Sequence, residues 1–339
     1  MAMRPYTVAS AERNEEVNQL FYKEAIRDAL REEMRRDDRV FLIGLDIGRF
    51  GGTYKATQGL WEEFGDERVR DTPLSEAAIA GAAVGAAMTG LRPVAEIMYN
   101  DFLTIALDQV ANQAAKLRYM SGGQARIPVV FRTQEGAGRS SAAQHAQSLE
   151  AWVSHIPGLK VALPSTPLDA KGLLKSAIRD DTPVVFFEHK LLYNTKGDVP
   201  DEEYLIPFGQ AHVCREGTAV TIVALSRMVL RALEAAEILA AEGISVEVVD
   251  PRTIVPLDIG TILESVKKTG RLLVTHEGYT RCGVGAEIAT QVIEQGMYYL
   301  EKPVKRVCGL NVPVPFAPVM ENYVIPSTAA LVQAVKGLL

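Results

Sequence analysis

The spacing of apolar residues divides the chain into alternating helices and strands. Residues 14–37 carry Val17, Leu20, Phe21, Ile26, Leu30 and Met34 on or near one face, which predicts an amphipathic helix. Residues 40–44 form an apolar run that predicts a buried strand. A loop at Phe50-Gly51-Gly52 and a short helix over 60–64 follow. Strands are then expected over 92–98, 127–133, 159–163 and 183–188, with helices over 102–120, through Trp152, and over 167–179. The strands are near-continuous apolar runs, such as Pro183-Val184-Val185-Phe186-Phe187. Strands of this kind alternating with helices predict an α/β fold whose parallel sheet is covered on both faces.

Residues 190–210 break the rhythm with Asn194, Gly197, Asp198, Pro200, Asp201, Glu202, Glu203 and Pro207, and read as an interdomain linker. A second α/β set follows, with strands expected over 219–225, 245–250, 271–276 and 304–307. Its helices are expected over 229–241, 258–269, 284–295 and 328–337. The expected organisation is therefore two α/β domains, residues 1–200 and a smaller one over 201–339, in keeping with a chain of 339 residues.

Composition narrows the function classes. Hydrophobic residues make up 47% and charged residues 23%, enough for large cores. The net charge of -6, from 36 basic and 42 acidic residues, argues against nucleic-acid binding and leaves no polybasic membrane patch. Cys214, Cys282 and Cys308 lie far apart and form no Cys-x-x-Cys pair, which reads as a reducing compartment without a structural metal. Every apolar run is interrupted by charge, Gly or Pro before it reaches membrane-spanning length. The start of the chain lacks a signal-peptide pattern, and Glu12, Glu15 and Glu16 spoil a transit-peptide reading. The expected location is the cytoplasm of a bacterium, or the mitochondrial matrix for a mature organellar form.

The segment Asp71-Thr72-Pro73-Leu74-Ser75-Glu76 runs straight into an Ala/Gly-rich stretch ending at Met88, so one carboxylate stands at the mouth of a nearly apolar helix. Small residues there let another backbone approach closely. Burial against apolar surface raises a carboxyl pKa, which suits proton exchange with a ligand near neutral pH. Glu76 also reads as an ordinary first-turn acid, with Thr72 as N-cap and Pro73 in the first turn. The loop from Gln134 to His145 follows a buried strand, and ligands of open α/β sheets bind beyond the carboxyl ends of the strands. His145 is thus a candidate acid or base, or a surface His beside a helix start. His155, His189, His212 and His276 are weaker candidates, and His189 and His276, also at strand ends, read as hydrogen-bonded structural residues. Phe102 follows the strand over 93–99 and is placed to stack on a flat heterocycle or to join the core. No Gly-x-Gly-x-x-Gly follows a strand and no Gly-x-x-x-x-Gly-Lys-Ser/Thr loop occurs. An acid, an aromatic and a His without a phosphate anchor read as half of an active site.

Several ordered motifs give these residues a common setting. They are Gly59-Leu60-Trp61, Asp71 to Glu76, Leu107-Asp108-Gln109, Tyr119-Met120-Ser121-Gly122-Gly123 and Ala142-Ala143-Gln144-His145. Asp169-Ala170-Lys171-Gly172-Leu173, Ser176-Ala177-Ile178-Arg179-Asp180, Asp250-Pro251-Arg252-Thr253 and Gly283-Val284-Gly285-Ala286-Glu287 continue the series. Together, from about Val17 to Leu338, they resemble the β subunit of thiamine-diphosphate-dependent 2-oxo acid dehydrogenases. That family has pyruvate, branched-chain and acetoin types and a transketolase-like fold: a parallel-sheet pyrimidine-binding domain followed by a smaller α/β C-terminal domain.

The resemblance implies that Glu76 hydrogen-bonds an aminopyrimidine nitrogen of the cofactor, favouring the imino tautomer that strips the thiazolium proton. It implies that Met98 and Phe102 pack on the pyrimidine, and that His145 acts near the reacting carbonyl or in acyl transfer to a lipoyl group. The sequence has no Gly-Asp-Gly followed some thirty residues later by Asn, so the resemblance places magnesium and the diphosphate on a separate α subunit, in an α2β2 tetramer. It further implies potassium on the backbone carbonyls of Val129, Ala177, Ile178, Asp180 and Thr182, and docking to a lipoyl acyltransferase core. Asn100-Asp101-Phe102 and the run from Phe187 to Tyr193 look more like acetoin-type relatives. A self-sufficient transketolase-like enzyme and a non-catalytic assembly subunit are the alternatives.

Overall fold

The computed structural model describes residues 17–339. In chain order, the first unit contains β1 (Val17–Phe21), α1 (Tyr22–Arg36), β2 (Val40–Gly44), α2 (Leu60–Phe64), β3 (Val69–Asp71) and α3 (Glu76–Met88). It continues through β4 (Arg92–Ile97), α4 (Leu103–Asp108), α5 (Ala115–Met120), β5 (Val130–Glu135), α6 (Glu150–Ser154), β6 (Lys160–Ala162), α7 (Pro167–Arg179), β7 (Val184–His189) and β8 (Lys196–Pro200). The second unit contains β9 (His212–Arg215), β10 (Val220–Ala224), α8 (Met228–Ala240), β11 (Val246–Asp250), β12 (Thr253–Val255) and α9 (Ile259–Thr269). It ends with β13 (Leu272–Tyr279), α10 (Val284–Gly296), β14 (Lys305–Gly309), α11 (Pro318–Val324) and α12 (Thr328–Lys336).

A seven-stranded sheet in the order β12-β6-β7-β5-β4-β2-β3 forms the first layer system, and a five-stranded sheet in the order β14-β13-β10-β11-β9 forms the second. Both are parallel except at one edge, where β12 and β9 run antiparallel to their neighbours. The near-continuous apolar strands are buried throughout, as expected for sheets covered on both faces. β12 belongs to the second half of the chain yet pairs with β6 of the first sheet. One apolar cluster runs without a break from Ala83, Ala95 and Phe131 to Val223, Val249 and Ile254, so the two units share a core. Each fully buried Leu, Ile, Val or Phe in it contributes about 1.5–3 kcal/mol.

Three expectations change. The helix predicted over 14–37 begins only at Tyr22; residues 17–21 form β1 instead, and residues 14–16 lie outside the described part. Glu24 sets the start, because its carboxylate accepts the Phe21 N–H at 2.9 Å. β1 pairs antiparallel with β8, which lies inside the predicted linker, so each short segment satisfies the other's backbone groups. The single helix predicted over 102–120 has a 3₁₀ turn at Asn100–Phe102 and a π-helical turn at Gln109–Ala114 between α4 and α5. The short elements β3, β9, β12 and α11 lay outside the predicted set; each of these strands is only three or four residues long.

Candidate active site

The parallel strands β3, β2, β4, β5 and β7 all end at one rim of the first sheet. From β3 the chain continues extended through Thr72, whose N–H donates to the Gly44 carbonyl at 3.0 Å, and only then turns into α3. The helix therefore begins at Glu76 with Ser75 as N-cap, and the caps expected from Thr72 and Pro73 are not used. The Thr72 hydroxyl is buried without a partner. Glu76 is 8% exposed, and among the described residues no donor reaches its carboxyl group. One face of α3, with Ile79, Ala80, Ala83, Val84 and Ala87, packs inward, while Ala78, Ala82, Gly85 and Met88 are left exposed.

On the same rim, Met98 follows β4, Phe102 closes the 3₁₀ turn, and both are half-buried. His145, on the loop after β5, packs edge-on to Phe102 with ring centroids 5.2 Å apart and to Tyr99 at 5.3 Å. The structure thus brings Phe102 and His145 into contact, with Glu76 further along the rim after the edge strand. Sequence reasoning missed the rest of this aromatic wall. Tyr54 stacks on Tyr193 at 4.5 Å and meets Tyr99 edge-on at 6.2 Å, and the Arg139 guanidinium lies 5.2 Å from the Tyr54 ring centre. Lys190, just past β7, donates to the His145 carbonyl and lies 4.9 Å from the Tyr99 ring centre. Burial brings its amine down to about 8, partly offset by Asp101.

The wall stands on a polar floor. Arg132 lies in the sheet between Glu188, gripped through two bonds of 2.6 and 2.8 Å, and Glu96 at 2.9 Å. Tyr193 donates to the same Glu188 carboxylate at 2.5 Å. Asn100 and Asp101 are buried under the His145 loop. Asn100 donates to the carbonyls of Gln134 and Gln147 at 3.2 and 2.9 Å, and Asp101 accepts from the Gln147 side chain at 2.9 Å. These two residues shape the loop rather than reach out of it.

The remaining histidines sit elsewhere. His189 pairs with Glu277 at 3.0 Å, and His276 pairs with Glu150 at 3.1 Å while accepting the Gly285 N–H. Both are buried at the junction of the two units, in the hydrogen-bonded setting their strand-end positions predicted. His155 and His212 are exposed. A cleft of about 650 Å³ opens at the junction between Trp152, Tyr279, Arg281 and Cys282, and none of Glu76, Met98, Phe102 or His145 lines it.

Among the described residues, no group of three or more His, Cys, Asp or Glu side chains is placed to hold a metal ion. Of the carbonyls considered for potassium, those of Val129 and Ala177 accept backbone N–H groups. Those of Ile178 and Asp180 receive the Arg92 guanidinium at 2.8 and 2.6 Å. An ion bound there would share two of its oxygens with an arginine.

Comparison with known proteins places the chain in a family. Residues 18–196 match the family model "Transketolase, pyrimidine binding domain", and residues 209–331 match "Transketolase, C-terminal domain". The chain is 51% identical over 318 residues to the pyruvate dehydrogenase E1 component subunit beta of Rickettsia felis, covering 94% of this chain and 98% of that one. It is 50% identical over 327 residues to the acetoin:2,6-dichlorophenolindophenol oxidoreductase subunit beta of Cupriavidus necator, covering 94% and 96%. A solved structure described as a split gene transketolase, an inactive beta4 tetramer, superimposes with a TM-score of 0.78 at 24% identity, covering 95% of this chain and 99% of that one, which shows the shared fold. The chain belongs to the transketolase-like family of E1 β subunits of thiamine-diphosphate-dependent dehydrogenases, which holds both pyruvate and acetoin types.

Proposed function

We propose that this chain is the β half of an oxidoreductase that decarboxylates a 2-oxo acid such as pyruvate, or cleaves acetoin, and passes the acyl group to a lipoyl acyltransferase. The observation that carries the reading is the convergence of Glu76, Met98, Phe102 and His145 on one rim of the first sheet. Thiamine diphosphate supplies, when bound, a carbon nucleophile that adds to a carbonyl and takes up the electrons released. Glu76 is only 8% exposed and no donor among the described residues reaches its carboxyl group, which suits a proton shared with a pyrimidine nitrogen. Phe102 and Met98 offer a flat, polarizable surface for that ring. His145, held edge-on between Tyr99 and Phe102, has its orientation fixed for proton delivery at a substrate carbonyl oxygen.

The diphosphate and magnesium fall to an α subunit in an α2β2 tetramer, a reading supported by the absent phosphate-binding motifs. The exposed face of Ala78, Ala82, Gly85 and Met88 on α3 suits close packing against such a partner, because small side chains admit a neighbouring backbone. On this reading the domain boundary lies at residue 200, between β8 and β9. Potassium beside Arg92 would show as a rise in Tm in potassium chloride that choline chloride does not reproduce. No helix among the described residues is long and apolar enough to cross a membrane. A bacterial cytoplasm or a mitochondrial matrix fits the composition.

Pyruvate-type and acetoin-type relatives match at nearly equal identity. Asn100 and Asp101, part of the motif that looks acetoin-type, bond to the loop carrying His145, so their bearing on substrate is indirect. The deciding experiment is reduction of an artificial electron acceptor by this chain assembled with its α partner, thiamine diphosphate and magnesium. Pyruvate, branched-chain 2-oxo acids and acetoin are compared side by side. One clear winner is expected, and turnover of sugar phosphates by this chain alone would replace the reading with a self-sufficient transketolase.

A further inference from the structure

The loop that carries His145 is held from the opposite unit. Its backbone takes positive φ at every second residue, at Gly136 (91°), Gly138 (98°), Ser140 (53°) and Ala142 (59°). Alternation of this kind turns successive N–H groups toward one side and creates a hollow that attracts an anion. Glu321 of α11 fills it. Its Oε1 accepts the Gly138 N–H at 2.8 Å and its Oε2 the Ser140 N–H at 3.0 Å. Next to it, Glu277 of β13 accepts the Ala137 N–H at 3.1 Å. Glu321 is 2% exposed, and no cation among the described residues forms an ion pair with it.

A second observation points the same way. Ala137 and Ala146, which bracket the loop, form a small buried apolar cluster with Val314 before α11, Val324 at its end and Ile325 just after it. α11 itself starts on Pro318 and is only seven residues long, with Val319, Met320 and Tyr323 exposed. Glu321 is its buried charged residue, and it points at the loop.

We propose that Glu321 is a positioning residue for the chemistry at His145, its carboxylate fixing the loop by two charge-assisted bonds from across the domain junction. The proposal rests on the reading of His145 as a residue of the reaction. The two bonds set where the loop backbone lies, while Lys190 and the rings of Tyr99 and Phe102 set where the imidazole points. Gln at position 321 keeps the volume and one carbonyl oxygen, so it retains one of the two bonds. Ala keeps neither.

The test uses the complex assembled with its α partner and cofactors, with E321Q and E321A beside the unaltered chain. Amide hydrogen exchange over residues 136–145 and tryptic cleavage after the exposed Arg139 report loop fixation without any turnover. Both are expected to speed up in the order unaltered, Gln, Ala. kcat is expected to fall in that order, by about tenfold for Gln and further for Ala, while KM and bound cofactor hold. Unchanged exchange in E321Q overturns the proposal, as does an equal kcat loss in both variants with equal exchange. Faster exchange with unchanged kcat shows that Glu321 holds the loop while the loop does not serve the reaction, which also overturns it. E321Q is nearly isosteric, so it gives an answer even where E321A fails to assemble. Because exchange and cleavage need no substrate, a wrong assignment of the reaction would leave those two readouts intact.

Discussion

The two sheets have the same architecture but use their carboxyl edges differently. The first carries Glu76, Met98, Phe102 and His145, the residues proposed above to meet the cofactor and substrate. The second turns its edge toward the first unit: Asp250 accepts from Ser165, Arg252 pairs with Asp169 at 2.7 Å, Glu277 with His189, and His276 with Glu150. In open α/β folds the carboxyl edge is the natural ligand site, because loops there are free to vary over a fixed scaffold. On the proposed reading one edge serves chemistry, while the contacts of the other serve adhesion. The electrostatics follow. Burial alone would raise the Glu277 carboxyl, yet His189 and Arg227 bring it down to about 2, so it stays ionised as a structural anion. At Asp250 burial wins, with help from Asp169, and the carboxyl rises to about 7.

If the division holds, substitutions at the two edges will separate turnover from stability. The largest effect is expected from Glu76→Gln, which should lower kcat by about 10²–10⁴-fold while leaving Tm and tetramer size unchanged. Unaltered turnover in the artificial-acceptor assay would remove Glu76 from the chemistry. Arg252→Met leaves Asp169 and Asp250 without their buried cation and should lower unfolding free energy by about 3–5 kcal/mol. Urea titration reads that loss, and turnover per folded enzyme should not change. A matching fall in kcat would blur the two edges into one.

A pH series sharpens the comparison further. The Glu277 carboxyl, held down at about 2, is the group to follow. An acid lowered in the folded state stabilises fully above its unfolded pKa of about 4.3 and loses that contribution as pH falls toward 2. Unfolding free energy should therefore fall as the solution is acidified across that window, and Glu277→Gln should flatten the fall. Phe102→Ala is expected to have the smallest effect. It should raise the KM for the cofactor roughly tenfold, the size of one aromatic contact, with less loss of stability than Arg252→Met.

How much the sequence disclosed depended on range. The helix Pro167–Arg179 matches its predicted bounds, since Thr166 caps it by accepting the Asp169 N–H and Pro167 opens it. Those signals are local. β1 and β8 pair across most of the first unit, and neither has a periodicity that announces the other. The rim placement of Glu76, Phe102 and His145 followed from parallel topology once strands and helices were seen to alternate. Tyr54 and Tyr99 escaped notice because their segments bear no motif, and the place of Lys190, inside the run from Phe187 to Tyr193, did so because only the fold brings it to Tyr99. Glu321 escaped because the amides it binds lie 183 and 181 residues away.

β12 has a consequence for motion. Because Thr253–Val255 is woven into the edge of the first sheet, the two units cannot swing apart without tearing backbone hydrogen bonds and opening a shared core. A cut in the connection between β8 and β9 should leave the two pieces associated under native conditions. Substrate entry and product release must then be timed by loops moving over a rigid body, not by a jaw that opens and shuts.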